Sequence, residues 1–497
     1  MQASTTQETM DLIKDLQSKP LGDAFGSALE KSFTQALGLV FYDLQPYALK
    51  LYPVITPLRN TIPRIVGRGG SATNWKAITG INITNISGGV SEGNRGGAIA
   101  TQTKSYVASY KGLGFEDFVT FEADYASENF DDVKARAAEG LLRSTMIYEE
   151  KTIIGGNAST GLGQAPAPTL VTAATGGTLT NVAYTVQVAA LTLEGYLAAT
   201  IAGGIPLGIS RTNTDASVDT YGGGSSQASP TATATPAANG TITATVAPVA
   251  GAVAYAWFWG TGGTAVLGAI TTVNTVVIAA AAAGTQLASA ASADNSQNQL
   301  VFDGLLPQVY APGSGSTIVT LGAGGNTGGN TTLTGDGAGG VVEIDQALRA
   351  FWDNYRLSPD LMLVNSQELL NITRRVLAAG SSAAPLFRFA VDGGGQTITA
   401  GAIIGNYLNK YTMSGGQLVQ VMLHPNVPPG TILFVSRTIP YPLSNVSNVL
   451  QMKCRRDYYQ LEWPLRTRRY EYGVYADEVL QNYFPPAFGV VRNIQNG

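Results

Sequence analysis

The side chains that could do chemistry in this chain are few and widely separated. His424 is the only histidine, and it lies in the proline-rich run HPNVPPG at 424–430. A histidine-based metal site or proton relay needs further ligands or partners, and no histidine cluster is available. We therefore expect a structural or solvent-facing role for His424.

The other candidate chemical groups also lack partners. Cys454 lies between Lys453 and Arg455, which could lower the pKa of its thiol, but a strand cysteine without a histidine nearby is expected to be inert packing. As the only cysteine it excludes an intramolecular disulfide framework and fits a reducing compartment. Glu149 and Glu150 are adjacent on a predicted helix and face different sides, which suits general acid/base catalysis poorly. We predict no enzyme, and no catalytic, cofactor-binding or metal-binding residue.

A run of basic and aromatic residues near the C-terminus allows two interpretations. It comprises Lys453, Arg455, Arg456, Tyr458, Tyr459, Trp463, Arg466, Arg468, Arg469 and Tyr470. Such a run can stack on single-stranded nucleic acid. The interleaved Asp457, Glu462 and Glu471 instead favour ion pairs between strands or subunits. The net charge of −4 and the pI near 5.3 argue against a general nucleic-acid binder.

The charged residues are distributed very unevenly along the chain. Residues 161–300 hold only Glu194, Arg211, Asp215, Asp219 and Asp294, and charged residues make up 13% of the whole chain against a usual share of about 25%. We interpret the charge-poor block as an inserted all-β module that interrupts one host fold. Its predicted strands are 179–193, 196–201, 208–211, 241–246, 252–259 and 273–278, with a flexible run at 226–239. These strands, with aromatic residues at 255–259, suggest an immunoglobulin- or fibronectin-like sandwich.

The flanking sequence has mixed helical and strand patterns. An amphipathic helical arm is predicted at residues 5–40. An extended stretch follows around Pro53, Pro57 and Pro63, and then a long two-stranded β excursion is predicted at residues 65–121. Residues 128–154 predict a long helix that starts at Asn129, Asp131 and Asp132. After the block we predict a helix at 342–355, a buried strand at 361–364 and a further helix capped by Asn365 and Glu368. The remaining predicted elements are a hairpin of 418–423 with 431–435 and a strand pair within 450–475. No secretory signal or transmembrane helix is predicted.

The order of these parts resembles the major capsid protein of tailed double-stranded DNA phages, the Hong Kong 97-type fold. The matching stretches are FEDFVTFEA at 115–123 leading into FDDV at 130–133, DNYRLSPD at 353–360 followed by LVN at 363–365, HPNVPPGTILF at 424–434, and RRYEYG at 468–473. The likeness covers about residues 40–160 and 300–490. It implies an α+β fold with an N-terminal arm (1–62), an extended loop (63–122), a peripheral domain (123–164 and 440–497) with the spine helix 128–154, and an axial domain (298–439). The immunoglobulin-like insertion is 165–297.

The resemblance implies a structural function. Copies would assemble as hexamers and pentamers into an icosahedral phage head around double-stranded DNA, which the inner face would contact without sequence specificity. The protein would be in the host cytoplasm during assembly and then in the virion, without a membrane partner. The further expected partners are a portal, a separate scaffolding protein and a cement protein, with no N-terminal propeptide removed. The insertion would project outward as surface decoration or a weak host-surface attachment.

Covalent cross-linking is one feature in which the chain departs from the founding phage of this family. The founding phage joins its subunits by lysine–asparagine isopeptide bonds. Lys76 is the only candidate lysine for such a bond in this chain, but no matching asparagine–glutamate pair is identified. An ordinary solvated lysine is the favoured interpretation. The competing function is a tail-tube or fibre-type adhesin whose sandwich binds host-surface glycans, which would have strand-dominated flanks. A surface-layer protein would need a secretion signal.

Overall fold

The structure is a computed structural model that describes residues 56–82, 88–127, 132–213, 216–322, 332–337, 339–377, 405–413, 415–441 and 444–495. The predicted helical arm at 5–40 and the predicted helix start at Asn129 and Asp131 lie outside these residues. The chain divides into two compact units, Met1–Tyr52 with Thr120–Lys134, and Pro53–Val119 with Ala135–Gly497. In the first unit the Thr120 side chain accepts a hydrogen bond from the Ala123 amide (3.3 Å), and Asp124 pairs with Lys134 at 2.7 Å.

The elements before the insertion combine short helices, one long helix and an extended hairpin. They are α1 (Pro57–Thr61), β1 (Arg64–Val66), β2 (Ala72–Asn82), β3 (Ala100–Ser109), β4 (Lys111–Thr120), α2 (Phe121–Ala126) and α3 (Val133–Gly155). The predicted extended stretch around Pro57 is wrong, because Pro57 stands in the first turn of a helix, where its fixed φ is favourable. The 23 residues of α3 span about 35 Å and form most of the predicted helix 128–154.

The charge-poor block folds into antiparallel sheets. Its elements are β5 (Thr169–Ala173), β6 (Tyr184–Leu191), α4 (Leu193–Ala198), β7 (Gly208–Thr212), β8 (Val218–Gly222), β9 (Ala232–Ala234), β10 (Thr241–Thr245), β11 (Ala254–Thr261), β12 (Val266–Thr271) and β13 (Thr275–Ile278). Sheets β13-β10-β5 and β12-β11-β6-β9 share one apolar core, in which Trp257 is fully buried and donates to Thr271 Oγ1 at 2.8 Å. Two sheets around one core form a sandwich. The specifically immunoglobulin-like character stays a prediction.

Two predictions within this block are wrong. Residues 196–201 were expected to form a strand, but Thr192 caps α4 by accepting the Gly195 amide, so the chain turns into a helix after β6. The run 226–239 was expected to be flexible, yet it supplies strand β9 and two buried serines. Ser226 and Ser229 accept the amides of Ala190 and Val188 at 2.8 and 3.0 Å, so serine hydroxyls satisfy donors along β6.

The elements after the insertion form a second helix–sheet body. They are α5 (Leu305–Tyr310), β14 (Thr317–Thr320), α6 (Val342–Tyr355), β15 (Leu361–Val364), α7 (Ser366–Leu377), β16 (Asn406–Asn409), β17 (Gln417–Leu423), β18 (Thr431–Val435), β19 (Leu450–Glu462), β20 (Arg469–Asn482) and β21 (Phe488–Arg492). The sheets are β14-β21-β18-β15-β17-β16 and β1-β19-β20-β4. A single apolar core joins α6, the larger sheet and the end of α3.

The predicted hairpin of 418–423 with 431–435 is wrong. Strand β15 lies between the two, parallel to β17 and antiparallel to β18. Both edges of β15 are therefore paired, its four residues are buried as expected for a central strand covered on both faces, and the long turn from His424 to Gly430 connects β17 to β18 past it. The predicted capping box is half correct. Asn365 Oδ1 accepts the Gln367 amide at 3.1 Å, whereas buried Glu368 accepts the Gly430 amide at 3.0 Å.

The inserted block is bonded directly to the host. Asn493 Oδ1 accepts the Asn274 amide at 2.9 Å, and Arg492 Nη1 donates to the Val249 carbonyl at 2.9 Å. Leu193 also belongs to the apolar core of the host, and its side chain covers Gly155 at the end of α3. A methyl group at Gly155 would collide with Leu193, so glycine permits this close approach.

Candidate functional site

The hairpin β2–β3 forms a two-stranded sheet separate from the other sheets of the described residues. Its register runs from Ala72↔Ser109 to Asn82↔Ala100, with one irregularity between Ile78 and Gly80. Apolar side chains stand in solvent along it, with Ile78 71% and Val107 67% exposed. A lone two-stranded hairpin is marginally stable in water. Exposed apolar residues on such a hairpin indicate a surface that another molecule covers.

The base of the hairpin is held by aromatic rings. Trp75 of β2 stacks on Tyr106 of β3 with ring centroids 5.5 Å apart, and it meets Tyr483 edge-on at 6.0 Å. Such aromatic pairs add stabilisation beyond the area that they bury. The hairpin is therefore anchored at one end and exposed along its length.

A second exposed apolar surface lies at the β16 edge of the six-stranded sheet. It consists of Leu408 on β16, Met413 in the following turn, and Leu418 and Leu423 on β17, which are between 50% and 91% exposed. An edge strand with exposed apolar residues favours association with another chain. The molecule thus presents two separate surfaces suited to contacts between subunits.

The most polar buried site is centred on Glu149, near the end of α3. Its carboxylate accepts hydrogen bonds from Arg64 and from the Tyr458 hydroxyl, and from Arg59 Nε at 3.3 Å. Glu149 is 1% exposed. Arg59 and Arg64 also lie over the Tyr458 ring, 5.1 and 4.7 Å from its centroid. Burial, followed by the charge of Glu149, raises the pKa of the Tyr458 hydroxyl, so this group stays a donor.

Glu150 faces a different set of partners. Its carboxylate accepts the amides of Leu58 and Arg59 at 2.9 and 2.6 Å, and it lies 2.5 Å from His424 Nε2. His424 Nδ1 accepts the Asn426 amide at 3.2 Å, so the proton of the neutral ring is on Nε2 and is donated to Glu150. His424 is buried, so the solvent-facing alternative is wrong.

Arg64 connects Glu149 to two more carboxylates. It donates to Glu478 at 2.6 Å and to Asp457 at 2.7 Å. Glu478 is fully buried, and its Oε1 has no hydrogen-bond partner among the described residues. Burial, then the nearby charge of Glu149, raises the pKa of Glu478 to about 8. Burial likewise raises the pKa of the Cys454 thiol to about 12, which makes it unreactive at neutral pH.

The basic-aromatic run contributes ion pairs on and beside β19 and β20. Arg455 pairs with Asp477 across the two strands at 2.8 Å, and Arg469 pairs with Glu471 at 2.5 Å. Asp457 pairs with Arg64, as described above. These contacts agree with the interpretation of the run as an ion-paired surface. Lys76 is exposed on β2 opposite Ser105, and its cross-linking stays an open prediction.

Sequence reasoning missed the buried ionic cluster, defined here as Arg59, Arg64, Glu149, Glu150, His424, Asp457, Tyr458 and Glu478. The available signal was the pair Glu149-Glu150 just before the apolar Ile153-Ile154, since acids in the buried end of a helix require partners. The cluster joins α1, β1, α3, β19 and β20. Its geometry suits a structural clamp.

No group of three or more histidine, cysteine, aspartate or glutamate side chains is placed to hold a metal ion within the described ranges. No helix among the described residues has the length and apolar character needed to cross a membrane.

No protein-family model and no curated protein matches the chain. Among solved structures the chain is similar to the capsid of the native GTA particle, at 10% identity and a TM-score of 0.42, covering 94% of this chain and 100% of that one. It is similar to the capsid of Myoviridae phage XM1, at 10% identity and a TM-score of 0.38 with 94% and 100% covered. It is also similar to the SrpI encapsulin of Synechococcus elongatus PCC 7942, at 11% identity and a TM-score of 0.34 with 90% and 92% covered.

Proposed function

We propose that this chain is the major capsid protein of a tailed phage, with the Hong Kong 97-type fold and an inserted sandwich. Its copies assemble as hexamers and pentamers into an icosahedral head that encloses double-stranded DNA. Its role is structural and not catalytic. The single observation that carries the proposal is the long hairpin β2–β3, anchored at its base and exposed along both strands.

The hairpin supports assembly because it buries too little by itself. Every residue of β3 from Ala100 to Ser105 is exposed, so folding of one chain gains little from this strand. A second copy that covers the hairpin would bury Ile78, Ile81 and Val107 and stabilise it. The apolar surface at the β16 edge belongs to a different sheet and offers a second contact surface, and a closed shell needs more than one kind of contact.

The element order supports the same proposal. An extended hairpin is followed by a long helix, then by the helix–strand–helix order α6-β15-α7, and finally by the long strand pair β19–β20. The ionic cluster ties the start of the hairpin region to α3 and to β19–β20 through Arg64, which suits a subunit that must keep its shape in a lattice.

The adhesin alternative is disfavoured by the flanks of the insertion. It requires strand-dominated flanks, whereas α3, α6 and α7 contain 23, 14 and 12 residues. We further propose a separate scaffolding protein, a portal and a cement protein as partners, with non-specific contact to packaged DNA. The domain boundaries given above and the outward position of the insertion belong to the same proposal.

Sedimentation velocity tests the proposal most simply. The chain is produced alone and together with a candidate scaffolding protein encoded by a gene next to its own, and the two sedimentation profiles are compared. We expect free capsomers or closed particles of one size when the scaffold is present. Stable monomers or trimers in both preparations would contradict the proposal.

A further inference from the structure

The segment 57–66, which leads toward the hairpin β2–β3, is tied to two other elements through Arg64. The guanidinium of Arg64 donates to Glu149 of α3 and, at 2.6 Å, to Glu478 of β20. Both carboxylates are at most 1% exposed. The backbone of Arg64 belongs to β1, an edge strand of only three residues. Such a short strand makes few backbone hydrogen bonds, so the contacts of Arg64 add substantially to its attachment.

Glu478 is the least compensated acid of this arrangement. Its side chain is 0% exposed, and its Oε1 has no hydrogen-bond partner among the described residues. The one cation that it pairs with in the described part of the chain is Arg64, which it shares with Glu149 and Asp457. A buried ionised carboxylate with one bare oxygen costs far more free energy than the neutral acid does. The geometry therefore favours a proton on Glu478.

The charge balance around Glu478 agrees with this. The titratable and charged groups packed about it come from four elements, and they are Arg59 of α1, Arg64 of β1, Glu149 of α3, and Cys454, Asp457 and Tyr458 of β19. Glu150 and His424 pair with each other instead. Two arginines thus stand against three acids, and a proton on Glu478 leaves two against two. Burial, then the charge of Glu149, raises the pKa of Glu478 to about 8.

We propose that a proton on Glu478 closes a latch, the Glu478 latch, in which Arg64, Glu149 and Glu478 hold segment 57–66 against α3 and β20. When the proton leaves, a buried site carries unbalanced negative charge, and the segment opens locally while the rest of the fold remains. Local opening of this kind costs less free energy than unfolding of the whole chain. Because segment 57–66 leads toward β2–β3, the protonation state of Glu478 sets how firmly the chain entering the hairpin is held.

The pH range of the latch follows from the two states of Glu478. In the open state its carboxyl is solvated and has an ordinary pKa of about 4.3, whereas in the closed state its pKa is about 8. Opening therefore releases one proton between these values. The equilibrium constant for opening should rise about tenfold per pH unit from about pH 5 to pH 8. Above about pH 8 the carboxyl is ionised in both states, and the dependence ends.

Cys454 is a natural reporter of this opening. It is the only cysteine of the chain, it is buried, and it lies opposite Val66 where β1 pairs with β19. Separation of β1 uncovers its thiol. The rate of labelling by N-ethylmaleimide is measured on the unassembled full chain from pH 5 to 9, for the natural chain and for Glu478→Gln. Ionisation of the thiol affects both proteins equally and cancels in the ratio of their rates.

We expect this ratio, natural chain over Glu478→Gln, to rise about tenfold per pH unit up to about pH 8 and then to level off. A ratio that does not change with pH would overturn the latch. Asp477→Asn is the matched control, since Asp477 is the preceding residue on β20 and pairs with Arg455 at 2.8 Å. Its labelling rate should follow that of the natural chain at every pH.

Hydrogen exchange of the natural chain tests the latch even if Glu478→Gln does not fold. The amides of Leu58 and Gly67 are hydrogen-bonded, to Glu150 Oε1 at 2.9 Å and to the Cys454 carbonyl at 2.7 Å. After division by the intrinsic exchange rates, their opening constants should rise with pH. They should also exceed those of the buried strand β15 at every pH. Equal opening constants in the two places would mean that only the whole fold opens, and would overturn the latch.

The latch acts within one chain, and both measurements use the unassembled subunit. A negative result in either one would overturn the latch and leave the proposed function standing. Failure of the chain to form particles would contradict the proposed function and have no bearing on the latch.

Discussion

Arg64 contacts three carboxylates in the buried ionic cluster, whereas the Arg59 side chain contacts only Glu149 among them. The Arg64 guanidinium donates to Glu149, Asp457 and Glu478, and two of these carboxylates are fully buried. A planar guanidinium can donate in several directions at once, which a lysine cannot reproduce. Loss of Arg64 would leave Glu149 and Glu478 in an apolar surrounding with fewer partners.

We expect Arg64→Met to lower the free energy of unfolding of the unassembled subunit by about 3–5 kcal/mol, because buried Glu149 and Glu478 both lose the hydrogen bonds that Arg64 donates. Titration with a chemical denaturant measures the free energy of unfolding of the variant and of the natural chain. Arg349→Met is the matched control, since Arg349 pairs with Asp353 on the exposed face of α6 at 3.2 Å. That change should cost about 0.5 kcal/mol or less. Equal effects of the two substitutions would contradict a clamping role for Arg64.

Glu478 makes stability depend on pH in a specific direction. Its folded pKa of about 8 exceeds the value near 4.3 of an unfolded glutamate, so the folded state binds the proton more tightly. The contribution to stability is complete below about pH 4.3 and is lost as pH rises toward 8. We expect the unfolding free energy of the natural chain to fall relative to Glu478→Gln between pH 5 and 8. Parallel pH profiles for the two proteins would show that Glu478 does not carry the raised pKa.

At the residue scale the sequence predicts only some of the side-chain environments that the structure shows. An inert, packed Cys454 follows from a strand pattern without a histidine. The partners of Glu149 and Glu150 do not, because Arg64, Tyr458 and His424 come from segments 85 to 309 positions away and meet only after folding. Sequence spacing shows that two adjacent acids point apart, but not what each one meets.

At the element scale, the hairpin β2–β3 should be needed for assembly and not for folding. Residues 77–104 can be replaced by Asn-Gly, since Lys76 and Ser105 are paired and a two-residue turn closes antiparallel strands. We expect the shortened subunit to keep its melting temperature within a few degrees and to form no closed particles. Calorimetry and electron microscopy measure the two effects.

The control for the shortened hairpin is a similar change at β7–β8. There, residues 211–219 are replaced by Asn-Gly between the paired residues Ser210 and Thr220. This variant should still form particles. If both shortened variants assemble, contacts through β2–β3 are not the basis of assembly.

Local pattern predicts elements well where burial and periodicity agree. The helix 342–355 and the strand 361–364 have the predicted bounds because an amphipathic stripe and a short apolar run each allow one structure. Strand order is different: β17 and β18 look like a hairpin in sequence, yet β15 separates them. Strand order depends on which strands meet the two edges of β15 after the chain has folded, and a local pattern does not contain that information.

At the scale of the whole molecule, the insertion is partly integrated with its host. Leu193 and Val253 belong to the host core, and Arg492 and Asn493 bond to the inserted block. The charge-poor composition predicts a separate module, but it does not predict these anchors. They come from the C-terminal strand β21 and from a turn near residue 249, which lie far apart in sequence.

Deletion of 165–297 should therefore leave assembly intact and lower stability. We expect closed particles with a reduced melting temperature, because the host core loses Leu193 and Val253. Leu193→Ala should reproduce a large part of the loss, about 2–5 kcal/mol. If the deletion abolishes particles while Leu193→Ala still assembles, the insertion is an assembly element and not a surface decoration.

If the proposed function is correct, identical copies of this chain build a closed shell. Negative-stain electron microscopy of the purified chain, after co-expression with the candidate scaffold gene, measures this directly. We expect closed icosahedral particles of uniform diameter, or free hexamers that convert to them. Rods, trimers or stable monomers in the presence of the scaffold would contradict it and favour the adhesin.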